Sequence, residues 1–274
     1  MFLINIFASI FGGPMINQTF LFYLKNTFKD KKIITLSLLF YFIFCFISMI
    51  NLFSNSYIVN GLFALLVCFV PLVIFLIEWL FKISIPPTLL IIFLFIPFGS
   101  LLGNSYEFYN IFPWFDDLLH TISGFIFACF GFTLTEIFVG KPDNKKKFVG
   151  CLLGGCVFSL AIVLIWELIE YAGTSVVGAV MQEDSIVNNI RSFFHSGSHK
   201  EAIEINDITQ TIINYNNGNQ YIIEGYLDIG LTDTLNDMLV CFLGALVYLI
   251  VLILGHFKFK NISQVICPKI NYID

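Results

Sequence analysis

Six stretches of this chain are apolar for long enough to cross a lipid bilayer as helices. They run at roughly residues 33–53, 58–81, 84–103, 114–139, 148–172 and 231–256. A bilayer core needs about 20 consecutive apolar residues in helical form, and each run meets that length with few charges inside it. The pattern between the fifth and sixth runs is different. Residues 173–230 are mostly polar and acidic, and within them TIINYNNGNQYIIEG (211–225) has two β-rich arms around an Asn-Gly pair, which predicts a hairpin. SIVNNIRSFF (185–194) reads as a short amphipathic helix. The predicted fold class is therefore an all-α membrane protein, with about six transmembrane helices and a small extracytoplasmic α+β cap between helices five and six.

The same pattern divides the chain. Residues 1–32 form a cytoplasmic or interfacial N-terminal segment, 33–172 five transmembrane helices, 173–230 the cap, 231–256 the sixth helix and 257–274 a cytoplasmic tail. The opening MFLINIFASIFGG is apolar but short and lacks a basic n-region, so it reads as an interfacial helix or a loose terminus rather than a cleaved signal peptide.

Composition agrees. Of 274 residues 58% are hydrophobic and 12% charged, with 33 Phe and a mean hydropathy of +0.86, which excludes an ordinary soluble domain. Orientation follows from the lysines. Lys25, Lys29, Lys31 and Lys32 precede the first run, Lys82 follows the second, Lys141, Lys145, Lys146 and Lys147 follow the fourth, and Lys258, Lys260 and Lys269 follow the sixth. The alternate loops, 54–57 and 104–113, carry no Lys or Arg. Both termini are thus expected in the cytoplasm of a bacterial-type cell, with 173–230 on the other side. The net charge of −5 and the single arginine, Arg191, leave no basic stripe for nucleic acid. The seven cysteines lie in apolar runs or the tail and predict no disulfide framework.

Acids interrupt three of the runs. WFDDLLHTISGF (114–125) carries Asp116, Asp117 and His120; WELIE (166–170) carries Glu167 and Glu170; DTLND (233–237) carries Asp233, Asn236 and Asp237. With a rise of 1.5 Å per residue, His120, Glu167 and Asp237 all fall roughly 8–9 Å inside their helix ends, on the side away from the lysines. Spacings of three and four put Asp116 with His120, Glu167 with Glu170, and Asp233 with Asp237 on shared helix faces. Capping accounts for acids in a first helical turn, and so for Asp116, Asp117 and Asp233 taken singly. It does not account for two glutamates near a helix C-terminal end, where the dipole repels anions. Charges at such depth are costly and ordinarily paired, so these groups either bind a cation or hold protons. Other polar residues have simpler readings. Glu78 lies four before Lys82, Glu136 lies near the 141–147 lysines, and His195 and His199 form a loop pair with no further ligands in sequence.

The three motifs resemble the VanZ-like membrane proteins and the related YjdF-type bacterial inner-membrane family. Asp116 and His120 of DDLLHT, Trp166, Glu167 and Glu170 of WELIE, and Asp233 and Asp237 of DTLND followed by Gly244 stand in the family's order, over about residues 110–250. The chain departs from that pattern at Asp117, where a basic residue is usual, at Thr121, where an aromatic is usual, and at Cys241, where Asn is usual. The resemblance implies a membrane protein and little biochemistry.

Three functions fit these residues. The first is a metal-dependent hydrolase or transferase acting on a lipid or cell-envelope precursor. Asp116, His120, Glu167, Glu170, Asp233 and Asp237 would hold Mg²⁺, Mn²⁺ or Zn²⁺, and His120 or Glu170 would act as general base. The second is a cation- or proton-coupled transporter, with Pro71, Pro86, Pro87 and Pro97 breaking helices two and three. The third is a non-catalytic membrane component that binds a partner.

Overall fold

The computed structural model describes residues 20, 23–24, 32–178, 181–193, 196–197, 199–257 and 267–270. The expected interfacial helix at 1–13, His195, Lys25, Lys29, Lys31, Lys258 and Lys260 lie outside the described residues. Six helices carry the fold: α1 (Lys32–Ser54), α2 (Ile58–Phe81), α3 (Pro87–Ser105), α4 (Phe115–Val139), α5 (Lys145–Ala172) and α6 (Leu231–Phe257). All six are long and apolar enough to cross a membrane. A single helical turn, Phe108–Ile111, fills the connection between α3 and α4.

Each long helix has two apolar faces. On α1, Leu36, Phe40, Ile43, Ile47 and Ile50 are exposed while Leu38, Tyr41, Cys45, Ser48 and Leu52 are buried. On α6, Leu235, Leu239, Leu243, Val247, Ile250 and Leu254 are exposed while Asp237, Cys241, Ala245, Tyr248 and Leu252 are buried. Exposed apolar stripes of this length suit a lipid solvent and not water.

The prolines do not break the helices. Pro71 and Pro97 sit inside continuous α2 and α3. Pro86 and Pro87 occupy the N-cap and first turn of α3, where a missing N–H costs nothing. The expectation of broken second and third helices is thereby corrected. The chain continues past Ala172 through a π-helical turn, Gly173–Val177, with Ser175 Oγ donating to Tyr171 O at 2.6 Å.

The chain divides into two compact units, residues 1–162 with 240–274, and residues 163–239. In the first, α1 packs on α2, α2 on α3 and α3 on α4. Phe rings fill these seams, as where Phe44 and Phe98 lie 4.8 Å apart. Glycines let α5 and α6 approach α4. A methyl at Gly124 would strike the Cys241 carbonyl, one at Gly244 the Thr121 carbonyl, and one at Gly131 Phe158. Ser159 Oγ seals the three-helix junction by donating to Gly124 O at 3.0 Å and meeting Cys241 Sγ at 3.8 Å. Lipid offers no hydrophobic force between helices, so close backbone contact through small residues is what associates them. On α5 Gly150 faces open space, while a methyl at Gly154 would strike Thr135 and one at Gly155 the Ala128 carbonyl.

Two short strands complete the first unit. β1 (Ile83–Ser84) pairs antiparallel with β8 (Lys269–Ile270), which returns part of the expected tail to the α2–α3 turn. Cys267 beside it meets the Tyr248 hydroxyl at 3.4 Å. Burial pushes its thiol up to about 11, despite that hydrogen bond.

The second unit holds β2 (Asp184–Val187), β3 (Ile190–Ser192), β4 (Ile203–Ile205), β5 (Thr211–Tyr215), β6 (Asn219–Ile223) and β7 (Tyr226–Ile229). They pair as β2 with β7, β3 with β4 and β5 with β6, all antiparallel. The β5–β6 hairpin is the one expected, turning through Asn216, Asn217 and Gly218 at φ of 39°, 59° and 96°. Asn and Gly are the residues that adopt this left-handed backbone most readily. The helix expected at 185–194 is instead β2 and β3. Its Ile and Val residues are β-branched, which favours strands. Its asparagines brace neighbouring backbone, with Asn189 Oδ1 accepting from Asp207 N at 3.1 Å and Asn188 O from Ile208 N at 2.8 Å.

Candidate cation site

The acids lie on the inward faces of their helices. Along α5 the buried positions are Cys151, Gly155, Ser159, Val163, Glu167 and Glu170, a repeat of fours and threes. Along α6 Asp237 opens the buried series that continues through Cys241, Ala245 and Tyr248. Glu167, Glu170 and Asp237 are 3%, 8% and 2% exposed. All three belong to the second unit. Each offers a carboxylate oxygen that lies within 4.8 Å of the other two.

Such a group does not hold itself together. At that separation and an effective dielectric of 20, two ionised carboxylates repel on the order of 3 kcal/mol. Glu167 makes the problem sharper. Both its oxygens are buried, and among the described residues neither has a hydrogen-bond partner. The Thr234 hydroxyl and Asp233 face it, with Thr234 short of hydrogen-bond geometry. Leaving one buried polar group unmatched costs about 1–3 kcal/mol, and more where it is charged. Residues 163–239 contain eleven Asp and Glu against Arg191 and Lys200. Arg191 is engaged across strands with Glu204 at 3.1 Å. The π-helical turn moves the helix end away from Glu167 and Glu170, so repulsion by the dipole explains less than the sequence implied. Burial and the unmatched oxygens now carry the case.

Asp233, in the first turn of α6, faces Glu167. Its Oδ2 accepts the backbone N–H of Glu183 at 2.8 Å. A free N–H in the first turn of α6, where Asp233 is the expected capping acid, is taken by Asp228, whose Oδ2 accepts Thr232 N–H at 2.6 Å. Gly230 lies between them at φ 75°, where an added methyl would also meet Gln182.

Asp116 and His120 belong to the first unit. They share a face of α4 as expected, with Nε2 of His120 3.8 Å from Oδ2 of Asp116. His120 is 9% exposed and lies in the buried series of α4, between Phe115 and Leu119 before it and Gly124 after it. Asp117 lies beside it on the first turn, and its backbone O accepts Thr121 Oγ1–H at 2.7 Å. His199, the other half of the loop histidine pair, has its ring 5.9 Å from that of Phe193.

Two polar residues near the carboxylates escaped the sequence reading. Thr234 lies inside DTLND, where the acids draw attention. Gln182 has no local signal at all, and its role depends on a partner 52 residues away.

No curated protein and no solved structure matches the chain. Over residues 33–258, which take in all six long helices, it matches the family model described as predicted membrane protein (DUF2238), and the chain belongs to that family.

Proposed function

We propose that Glu167, Glu170 and Asp237 bind a divalent cation, and that the protein is a metal-dependent hydrolase or transferase acting on a lipid or cell-envelope precursor. The observation that carries this reading is Glu167, a 3% exposed carboxylate with both oxygens unmatched among the described residues and two further carboxylates within 4.8 Å. A cation answers the repulsion and the unmatched oxygens together. Three oxygen donors suit Mg²⁺ or Mn²⁺. The depth argument from sequence adds Asp116 and His120 as further ligands, and an imidazole would admit Zn²⁺. The likeness of the motifs to VanZ-like proteins is part of the same reading.

The lysine pattern supports cytoplasmic termini, and so a site at the outer leaflet. A cation there would polarise a phosphoryl or acyl oxygen or activate water. Glu170 or His120 would take the proton. The carrier reading draws less support, because α2 and α3 run unbroken through their prolines. Elemental analysis of the detergent-purified protein tests the proposal. About one divalent metal per chain is expected in the wild type and much less in Glu167→Gln. A wild type that holds no divalent cation after incubation with Mg²⁺, Mn²⁺ and Zn²⁺ overturns it. Cation-driven flux in reconstituted vesicles would place the same site in a carrier.

A further inference from the structure

The segment that leaves α5 returns to α6 beside the three carboxylates. Thr174 Oγ1 takes the backbone N–H of Met181 at 3.0 Å, with that of Gln182 at 3.4 Å, which ties this strap to the π-helical turn. Two consecutive residues then reach α6. Gln182 Nε2 donates to Thr234 Oγ1 at 2.8 Å, and Glu183 N–H donates to Asp233 Oδ2 at 2.8 Å. Thr234 and Asp233 precede Asp237 by three and four residues and share its helix face. Both face Glu167.

A hydroxyl has one proton to give and two lone pairs to receive. Because the Gln182 amide occupies a lone pair of Thr234, the Thr234 O–H is left to find an acceptor. The side-chain atoms that are buried and unmatched among the described residues are the two Glu167 oxygens. We infer that Thr234 is a positioning residue for Glu167, and that Gln182 orients Thr234 for that task. With a cation on one Glu167 oxygen, Thr234 donates to the other and fixes the carboxylate's rotation. Metal-binding carboxylates ordinarily take such outer hydrogen bonds, and their loss costs 10–100-fold in affinity. The strap from the strands is thereby coupled to the site through two side chains. This inference rests on the cation reading above.

The test is Mn²⁺ affinity of the full chain in detergent, measured by titration calorimetry on the wild type, Glu167→Gln, Thr234→Val, Thr234→Ser and Gln182→Ala. Elution on size exclusion and the thermal midpoint in EDTA report folding separately. Thr234→Val should weaken binding by about 10–100-fold, Thr234→Ser should restore it, and Gln182→Ala should weaken it less than Thr234→Val. Should Thr234→Val fail to fold, Gln182→Ala and Thr234→Ser decide the matter. Thr234→Val binding like the wild type while Glu167→Gln does not would overturn this inference and leave the cation site standing. Thr234→Ser binding as weakly as Thr234→Val would also overturn it. Glu167→Gln binding like the wild type would overturn the cation reading, and this inference with it.

Discussion

Glu78 and Glu167 are both 3% exposed and both lie within apolar helices, yet their surroundings differ. Glu78, near the end of α2, accepts the Ile85 backbone N–H at 2.5 Å on one oxygen and the Tyr23 hydroxyl at 2.6 Å on the other. Its own backbone carbonyl accepts the N–H of Lys82, which ends the helix in the left-handed conformation. That carboxylate is part of a helix-ending turn, and the fold accounts for it. Glu167 ends no helix, and among the described residues neither of its oxygens is matched. Burial of an acid is therefore no sign of function by itself. The sign is burial without a partner, next to groups of like charge.

Substitutions that treat the two glutamates alike should separate them. The largest effect is expected in cation binding. Glu170→Gln and Asp237→Asn should each weaken Mn²⁺ binding by tenfold or more, since one charged ligand contributes upwards of about 1.4 kcal/mol, while Glu78→Gln leaves it unchanged. Equal losses in all three, measured by equilibrium dialysis, would erase the distinction. The next effect is on stability. Glu78→Leu strands the buried Ile85 N–H, at about 1–3 kcal/mol, and the half-buried Tyr23 hydroxyl, and should lower the thermal midpoint in EDTA markedly. Glu167→Leu should do the reverse and raise it, with the unfolding free energy up by about 1 kcal/mol, because it removes a buried carboxylate whose oxygens are unmatched among the described residues. A fall in the midpoint for Glu167→Leu would show that Glu167 is structural after all.

The smallest effect concerns a thiol settled by the fold as Glu78 is. Cys267 meets Tyr248, and its burial holds it protonated up to about pH 11. A raised thiol yields thiolate only as pH climbs towards that value, and thiolate is the reactive form. Maleimide labelling of Cys267, followed by peptide mass spectrometry, should be slow at pH 8 and quicken at pH 9 and 10. Rapid labelling at pH 7 would show that the tail contact with Tyr248 is not maintained.

Much of the fold was legible because its signals are local. Long apolar runs mark helices by length alone, and helices at Ile58–Phe81 and Phe115–Val139 follow from them within a residue. That Glu167 shares a face with Glu170, and Asp233 with Asp237, also follows from spacing; that the faces of Glu167, Glu170 and Asp237 point inward is seen only in their burial. What stayed hidden depends on partners distant in sequence. The stretch from Ser185 to Ser192 became strands because Tyr226–Ile229 and Ile203–Ile205 lie alongside it. Gly154 and Gly155 meet neighbours and Gly150 does not, because helix rotation decides which glycine faces in. The return of Lys269 to Ser84 and the reach of Gln182 to Thr234 carry no local signal. The Glu183 N–H that engages Asp233 Oδ2 likewise arrives from a segment that the spacing of DTLND does not describe.

Among the described residues neither Glu167 oxygen is matched, and the proposed function puts a cation there. Electron paramagnetic resonance counts this directly, since Mn²⁺ bound to protein loses the sharp six-line signal of the aqueous ion. On adding Mn²⁺ in steps to the purified full chain, the account predicts about one Mn²⁺ silenced per wild-type chain, none silenced by Glu167→Gln at the same concentrations, and a wild-type count in Glu78→Gln. A free-ion signal that rises in the wild type from the first addition, or that rises equally in the wild type and Glu167→Gln, would contradict it.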